Sequence, residues 1–155
     1  KAGLATLVAY RDGRVDVTRW DGGPVAGPGV AFARQSLPLI VDDGRLNPAL
    51  NDSSQWGYTL GNAVRVWRTG AGIDRHGNLI YVAADYQTVT TLARILQRAG
   101  AVRAMELDIH RGMVTFNLFS HRTQLAGHKL LPNMTRPADR YLTPDWRDFF
   151  VVTPA

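Results

Sequence analysis

The sequence contains no cysteine. That excludes disulfides, zinc-thiolate centres and a cysteine nucleophile, while leaving the compartment open. It holds one glutamate, Glu106, and two lysines, Lys1 and Lys129, so sixteen of its 18 basic residues are arginines. No apolar run reaches about 18 residues, so no transmembrane span is expected. No run of five or more basic residues occurs either. A basic arm of the kind that grips nucleic acid is therefore missing, and nucleic acid is not an expected partner despite a pI near 10.1. There is no initiating methionine and no signal-peptide pattern, so the chain reads as a processed or trimmed piece.

The 155 residues are one domain's length, and 45% apolar with 20% charged residues is ordinary for a globular fold. The net charge of +5 rests on arginine. The guanidinium fork matches phosphate and carboxylate, whereas lysine is a hydrated point charge. Codon bias gives the same skew, and the charges are scattered along the chain.

Local patterns predict an α+β fold: a mainly antiparallel sheet built from hairpins, about seven strands in all, with one or two helices packed on it. Residues 4–10 and 15–20 read as strands joined by a tight turn at Arg11-Asp12-Gly13. Residues 21–29, rich in glycine and proline, read as a loop. Residues 36–41 form a short strand closed by Asp42-Asp43-Gly44. A long polar connection follows over 46–61, and connections of that length are often functional. Strands at 63–69 and 79–84 flank a turn at 74–78. Residues 88–99 carry Val89, Leu92, Ala93 and Leu96 at helical spacing, with Thr88 as cap and Gly100 as stop. Strands at 103–109 and 113–119 read as a second hairpin around His110-Arg111-Gly112, and a last strand is expected at 149–153.

Along a strand, side chains alternate faces. In 105–110 the apolar Met105, Leu107 and Ile109 point one way, and Glu106, Asp108 and His110 the other. This is either the solvated polar face of a sheet or a site: two carboxylates and an imidazole suit general acid/base work, glycoside hydrolysis or a metal.

Three blocks, in order, resemble the phosphodiester glycosidase family. Residues 68–83, beginning Arg68-Thr69-Gly70-Ala71-Gly72-Ile73-Asp74 and continuing through Gly77 and Leu79, match an R-T-x-x-G-I-D-x-x-G-x-L pattern. Glu106-Leu107-Asp108 match the strand that precedes the family's glycine run. Residues 34–44, ending Asp42-Asp43-Gly44, resemble its hydrophobic–D–G segment. The family includes the enzyme that removes N-acetylglucosamine from a phosphodiester to uncover mannose 6-phosphate. The resemblance implies a hydrolase that cleaves a sugar-1-phosphodiester at the anomeric carbon, in cell-envelope or exopolysaccharide glycans, with a secreted or envelope location and bacterial relatives. It implies catalytic roles for Asp108 and Glu106, and substrate-binding roles for Arg68 (a phosphate clamp), His110, Arg34 and Asp42. It implies no cofactor, although the same groups are compatible with a divalent metal. The glycine run is replaced here by Ile109-His110-Arg111-Gly112. The family's asparagine–glycine–glycine segment has no counterpart, so residues 1–155 are expected to be a single domain without its N-terminal part, which is then a partner alongside the glycan or sugar-phosphate substrate. Asp74 and Gly77 read as turn residues. Trp56, Tyr58 and Trp67 read as core or as platforms for a sugar ring. The competing reading is a non-catalytic carbohydrate- or envelope-binding module on the same scaffold.

Overall fold

The structure, a computed structural model, describes residues 1–23, 27–121 and 123–153. It divides into two compact units, 1–114 and 115–155.

The first unit is α+β and every strand pairing is antiparallel. β1 (Ala5–Tyr10), β2 (Val15–Arg19) and β3 (Val30–Gln35) form a three-stranded sheet in the order β2-β1-β3. The expected β1–β2 hairpin is present, closed by the Tyr10 N–H on the Arg14 carbonyl and by Gly13 at φ 89°. β4 (Leu39–Asp42), β5 (Arg45–Leu46), β6 (Val66–Asp74), β7 (Leu79–Gln87) and β8 (Ala101–Glu106) form a five-stranded sheet in the order β5-β4-β8-β6-β7. The β6–β7 turn is built by Asp74, whose carboxylate accepts from the backbone N–H of His76 and Asn78 and from the Asn78 amide. These bonds hold its pKa below the usual carboxylate range.

The helix appears as α1 (Val89–Arg98). Thr88 caps it: its hydroxyl accepts from the Thr91 N–H, and Thr91 Oγ1 accepts from the Thr88 N–H. Gly100 stops it at φ 99°. Val89, Leu92, Ala93 and Leu96 are its buried face, packed with Ile40, Val41, Trp56, Ala101 and Ala104. On the other face of the large sheet, Leu39, Ala71, Ile73 and Met105 pack with Ala5, Leu7 and Val17 of the small one. Two ion pairs tie β2 to the large sheet. Arg103 donates to the Val17 carbonyl at 2.7 Å and to Asp16 at 2.6 Å, and Arg19 meets Asp42 at 2.9 Å.

Two glycines of β6 admit close neighbours: α1 packs over Gly70, and β8 crowds Gly72. A Cβ on Gly70 would lie 2.8 Å from Leu96 Cδ1 and 2.8 Å from the Met105 carbonyl oxygen; on Gly72 it would lie 2.9 Å from the Ala101 Cβ. Part of that obstacle is backbone and cannot rotate away. Gly70→Ala is therefore expected to cost roughly 1–3 kcal/mol by overpacking, read from the urea midpoint with the slope unchanged.

The structure departs from the sequence reading in several places. β3 has no counterpart among the strands that the local patterns predict. The 46–61 connection is organised by short 3-10 turns at Pro48–Asn51, Ser53–Gln55 and Leu60–Asn62. The first two are capped by Asn47 and Asp52, whose side chains accept from the N–H groups of Ala49 and Ser54. Part of the expected 21–29 loop, residues 24–26, lies outside the described residues. The second hairpin does not form as expected: β8 ends at Glu106, and residues 113–116 are not strand. Instead, in the second unit, β9 (Asn117–His121) pairs with β10 (Leu125–Lys129). The reason is local: the N–H groups of Met113 and Val114 both turn back to the His110 carbonyl, leaving none for a ladder. Residues 149–153 are not a strand either. Among the described residues, no helix is long and apolar enough to cross a membrane.

Candidate active site

Glu106 closes β8 directly opposite Gly70. Opposed residues in an antiparallel pair share a face, and the space above Gly70 is filled by Leu92 and Leu96. Glu106 therefore lies on the face that α1 covers, and it is 0% exposed. Arg68, two residues before Gly70, shares that face and is 6% exposed. Its Nη1 donates to Glu106 Oε1, and its Nε donates at 3.1 Å to the carbonyl of Gln87, the residue before the Thr88 cap. The second carboxylate oxygen, Oε2, has no hydrogen-bond partner among the described residues. Burial pushes the Glu106 carboxyl up to about 7, and the Arg68 guanidinium opposes that rise.

Beyond Glu106 the ladder is irregular. The Leu107 N–H bonds to the Thr69 carbonyl, while the Thr69 N–H and Oγ1 both donate to the Asp108 carbonyl, each at 2.9 Å. Leu107 and Asp108 thus face one residue, as in a bulge, and bulges re-aim side chains. The alternating face expected over 105–110 consequently breaks after Glu106: Glu106 is buried, whereas Asp108 and His110 are exposed. His110 sits in the following turn, where its Nδ1 accepts from the Gly112 N–H at 3.1 Å. The polar connection reaches this end of the sheet as well. Gly57, at φ 77°, packs against Ile109, where a Cβ would lie 3.1 Å from Ile109 Cδ1.

Of the residues singled out in the sequence, Arg68, Glu106 and the backbone of Asp108 meet at one end of β6 and β8. Asp42 does not join them: it ends β4 near Ala104, at the other end of β8, and pairs with Arg19. Arg34 is half-buried on the small sheet, opposite Leu7. Trp56 is core, its indole N–H on the Ala49 carbonyl at 3.0 Å, and Trp67 is also buried. Tyr58 is 92% exposed. Thr69, which clasps Asp108, carries no charge or ring to mark it in the sequence. Its place beside Arg68 in the R-T block was the available signal. Among the described residues, no group of three or more His, Asp or Glu side chains is placed to hold a metal ion.

The sequence model of the phosphodiester glycosidase family matches residues 2–108. The chain belongs to that family. The phosphodiester glycosidase match lies within the first compact unit and takes in Arg34, Asp42, Arg68, Glu106 and Asp108, with His110 beyond its end. Among solved structures, the chain is similar to a zebrafish N-acetylglucosamine-1-phosphodiester alpha-N-acetylglucosaminidase catalytic domain, auto-inhibited by its pro-peptide. The two share 20% identity at a TM-score of 0.54, over 70% of this chain and 40% of the other. A hypothetical protein from Synechocystis aligns at 21% identity and a TM-score of 0.41, over 72% of this chain and 29% of the other. This phosphodiester glycosidase chain thus spans less than half the length of the structures it resembles. No curated protein matches it.

Proposed function

We propose that this chain carries the carboxylate end of a hydrolase site acting on a glycosyl-1-phosphodiester. The observation that supports this reading is the pair at the end of β8: a buried Glu106 locked to Arg68, and an exposed Asp108 turned outward by the Thr69 clasp. In the reaction, water adds across the bond between the anomeric carbon and the bridging oxygen. The sugar leaves with the new hydroxyl, and the phosphate leaves as a monoester. A phosphate monoester, with a second pKa near 6, departs with little protonation. The main demand is therefore stabilisation of positive charge at the anomeric carbon, which an accessible carboxylate meets. Asp108 takes that role. Glu106 acts behind it as a positioning residue, holding Arg68 and with it the strand ends that Thr69 clasps. Tyr58 offers an exposed ring to a sugar face.

The proposed substrates are sugar-phosphate linkages in cell-envelope or exopolysaccharide glycans, and the proposed setting is secreted or envelope-bound. The test is hydrolysis of a chromogenic α-glycosyl-1-phosphodiester by the chain. Release of free sugar together with the phosphomonoester is expected. Binding without turnover would instead mark a carbohydrate-binding module.

A further inference from the structure

One strained position of the first unit lies at the same sheet end as Asp108. Arg68 pairs with Ala84 and Val66 with Gln87, so Asp85 and Tyr86 together face Trp67 and form a bulge in β7. Tyr86 adopts φ 58°. A bulky residue in the left-handed region is costly, and such residues gather at functional sites. The bulge throws the ring outward, to 69% exposure. Arg65, also exposed, lays its guanidinium 5.5 Å from the ring centroid and bonds the Tyr86 carbonyl at 3.5 Å. Arg65 lies four residues before Thr69, the residue that clasps Asp108. At about 3.3 Å per residue, the two are at most roughly 13 Å apart, within the combined reach of a long arginine and a substrate anchored at Asp108. The buried Arg68 guanidinium is engaged by Glu106 and Gln87, whereas Arg65 presents its charge at the surface.

We propose that Arg65 and Tyr86 form a subsite for the leaving side of the substrate. Arg65 takes the charge of the phosphodiester, and the Tyr86 ring carries the carbon skeleton of the group beyond the phosphate. The ligand class is a phosphodiester joining a sugar to an organic aglycone. The inference rests on the hydrolase reading above for the placement of the sugar at Asp108. The bulge explains the ring's exposure, and the stack explains how a flexible arginine is held ready for an anion.

The test compares the unmodified chain with Arg65→Ala and Tyr86→Gly. Glycine removes the ring at a backbone angle it adopts without strain, so loss of the ring is separated from loss of the fold, which circular dichroism checks. Two probes are used: a chromogenic α-glycosyl-1-phosphodiester for turnover, and a methyl α-glycosyl-1-phosphate diester for calorimetric binding. The expected result is a KM raised at least about tenfold in both variants, with kcat within about threefold. Unchanged KM in both folded variants, or a fall in kcat alone, overturns the subsite. Binding by the unmodified chain without turnover, weakened at least tenfold in Arg65→Ala, upholds the subsite and removes the hydrolase reading. Neither turnover nor binding by the unmodified chain removes both.

Discussion

Arg68→Ala is expected to destabilise the first unit by about 3–5 kcal/mol at pH 8, the usual cost of orphaning a buried charge, and by clearly less at pH 5. The difference follows from Glu106, which is raised to about 7 by burial. A raised folded-state pKa makes the protonated form the one that folding favours. The contribution of Glu106 to stability is thus fully present below its unfolded value of about 4.5 and is lost as pH rises through about 7. Arg68 limits the loss above that range by pairing with the carboxylate. Without Arg68, the carboxyl must either stay protonated well above neutral pH or remain charged with no partner. At pH 5 it is neutral in both proteins, so the variant loses mainly the bond to Gln87 and some packing. Urea unfolding at the two pH values measures the difference. Adding Glu106→Gln to the variant is expected to recover much of the loss at pH 8. Equal destabilisation at both pH values would show that the pair does not hold the charge as described.

Asp108→Asn is expected to lower hydrolysis of a glycosyl-1-phosphodiester at least a hundredfold with little change in stability. Asparagine keeps the size and the hydrogen-bonding reach and removes the charge. A carboxylate that stabilises an oxocarbenium-like centre, or acts as base or nucleophile, does not tolerate that exchange, and such participation is typically worth 10²–10⁴-fold. The clasp by Thr69 uses the Asp108 carbonyl, not its side chain, so the backbone geometry survives the substitution. The side chain is exposed, so no buried group is orphaned. A folded variant with near-normal turnover would take Asp108 out of the mechanism and leave Glu106 as the remaining carboxylate on that strand.

Much of this arrangement was legible locally. The β1–β2 and β6–β7 hairpins and α1 announced themselves because turn chemistry, period and caps agreed within each segment. β3 was not legible: its central residues, Ala31 to Ala33, are exposed, so no buried face imposes alternation, and the strand exists by pairing with β1. The hairpin expected across His110 failed for the converse reason. Its two halves looked like partners, but the His110 carbonyl gathers the returning N–H groups into a tight turn. At the candidate site, the single glutamate and the R-T block mark the stretch where β6 and β8 pair. Alternation then put Glu106 and Asp108 on one open face. The bulge at Thr69 and the room left by Gly70 separate them into a buried and an exposed carboxylate, and both features depend on which strand lies alongside.

The strand order also dictates how this sheet can be assembled. β8 lies at the centre yet is the last of the five strands along the chain, entering between β4 and β6. A nascent chain that has not yet reached Glu106 holds β4 and the β6–β7 hairpin with facing edges unpaired, the state in which strands recruit foreign partners. Pairing β8 with β4 also closes a loop of some sixty residues, a slow step by the measure of contact order. The residue that ends this strand is the buried Glu106, so insertion of the middle strand and burial of the ion pair are one event. A ribosome stalled upstream of residue 106 would carry neither a closed sheet nor the beginnings of a site.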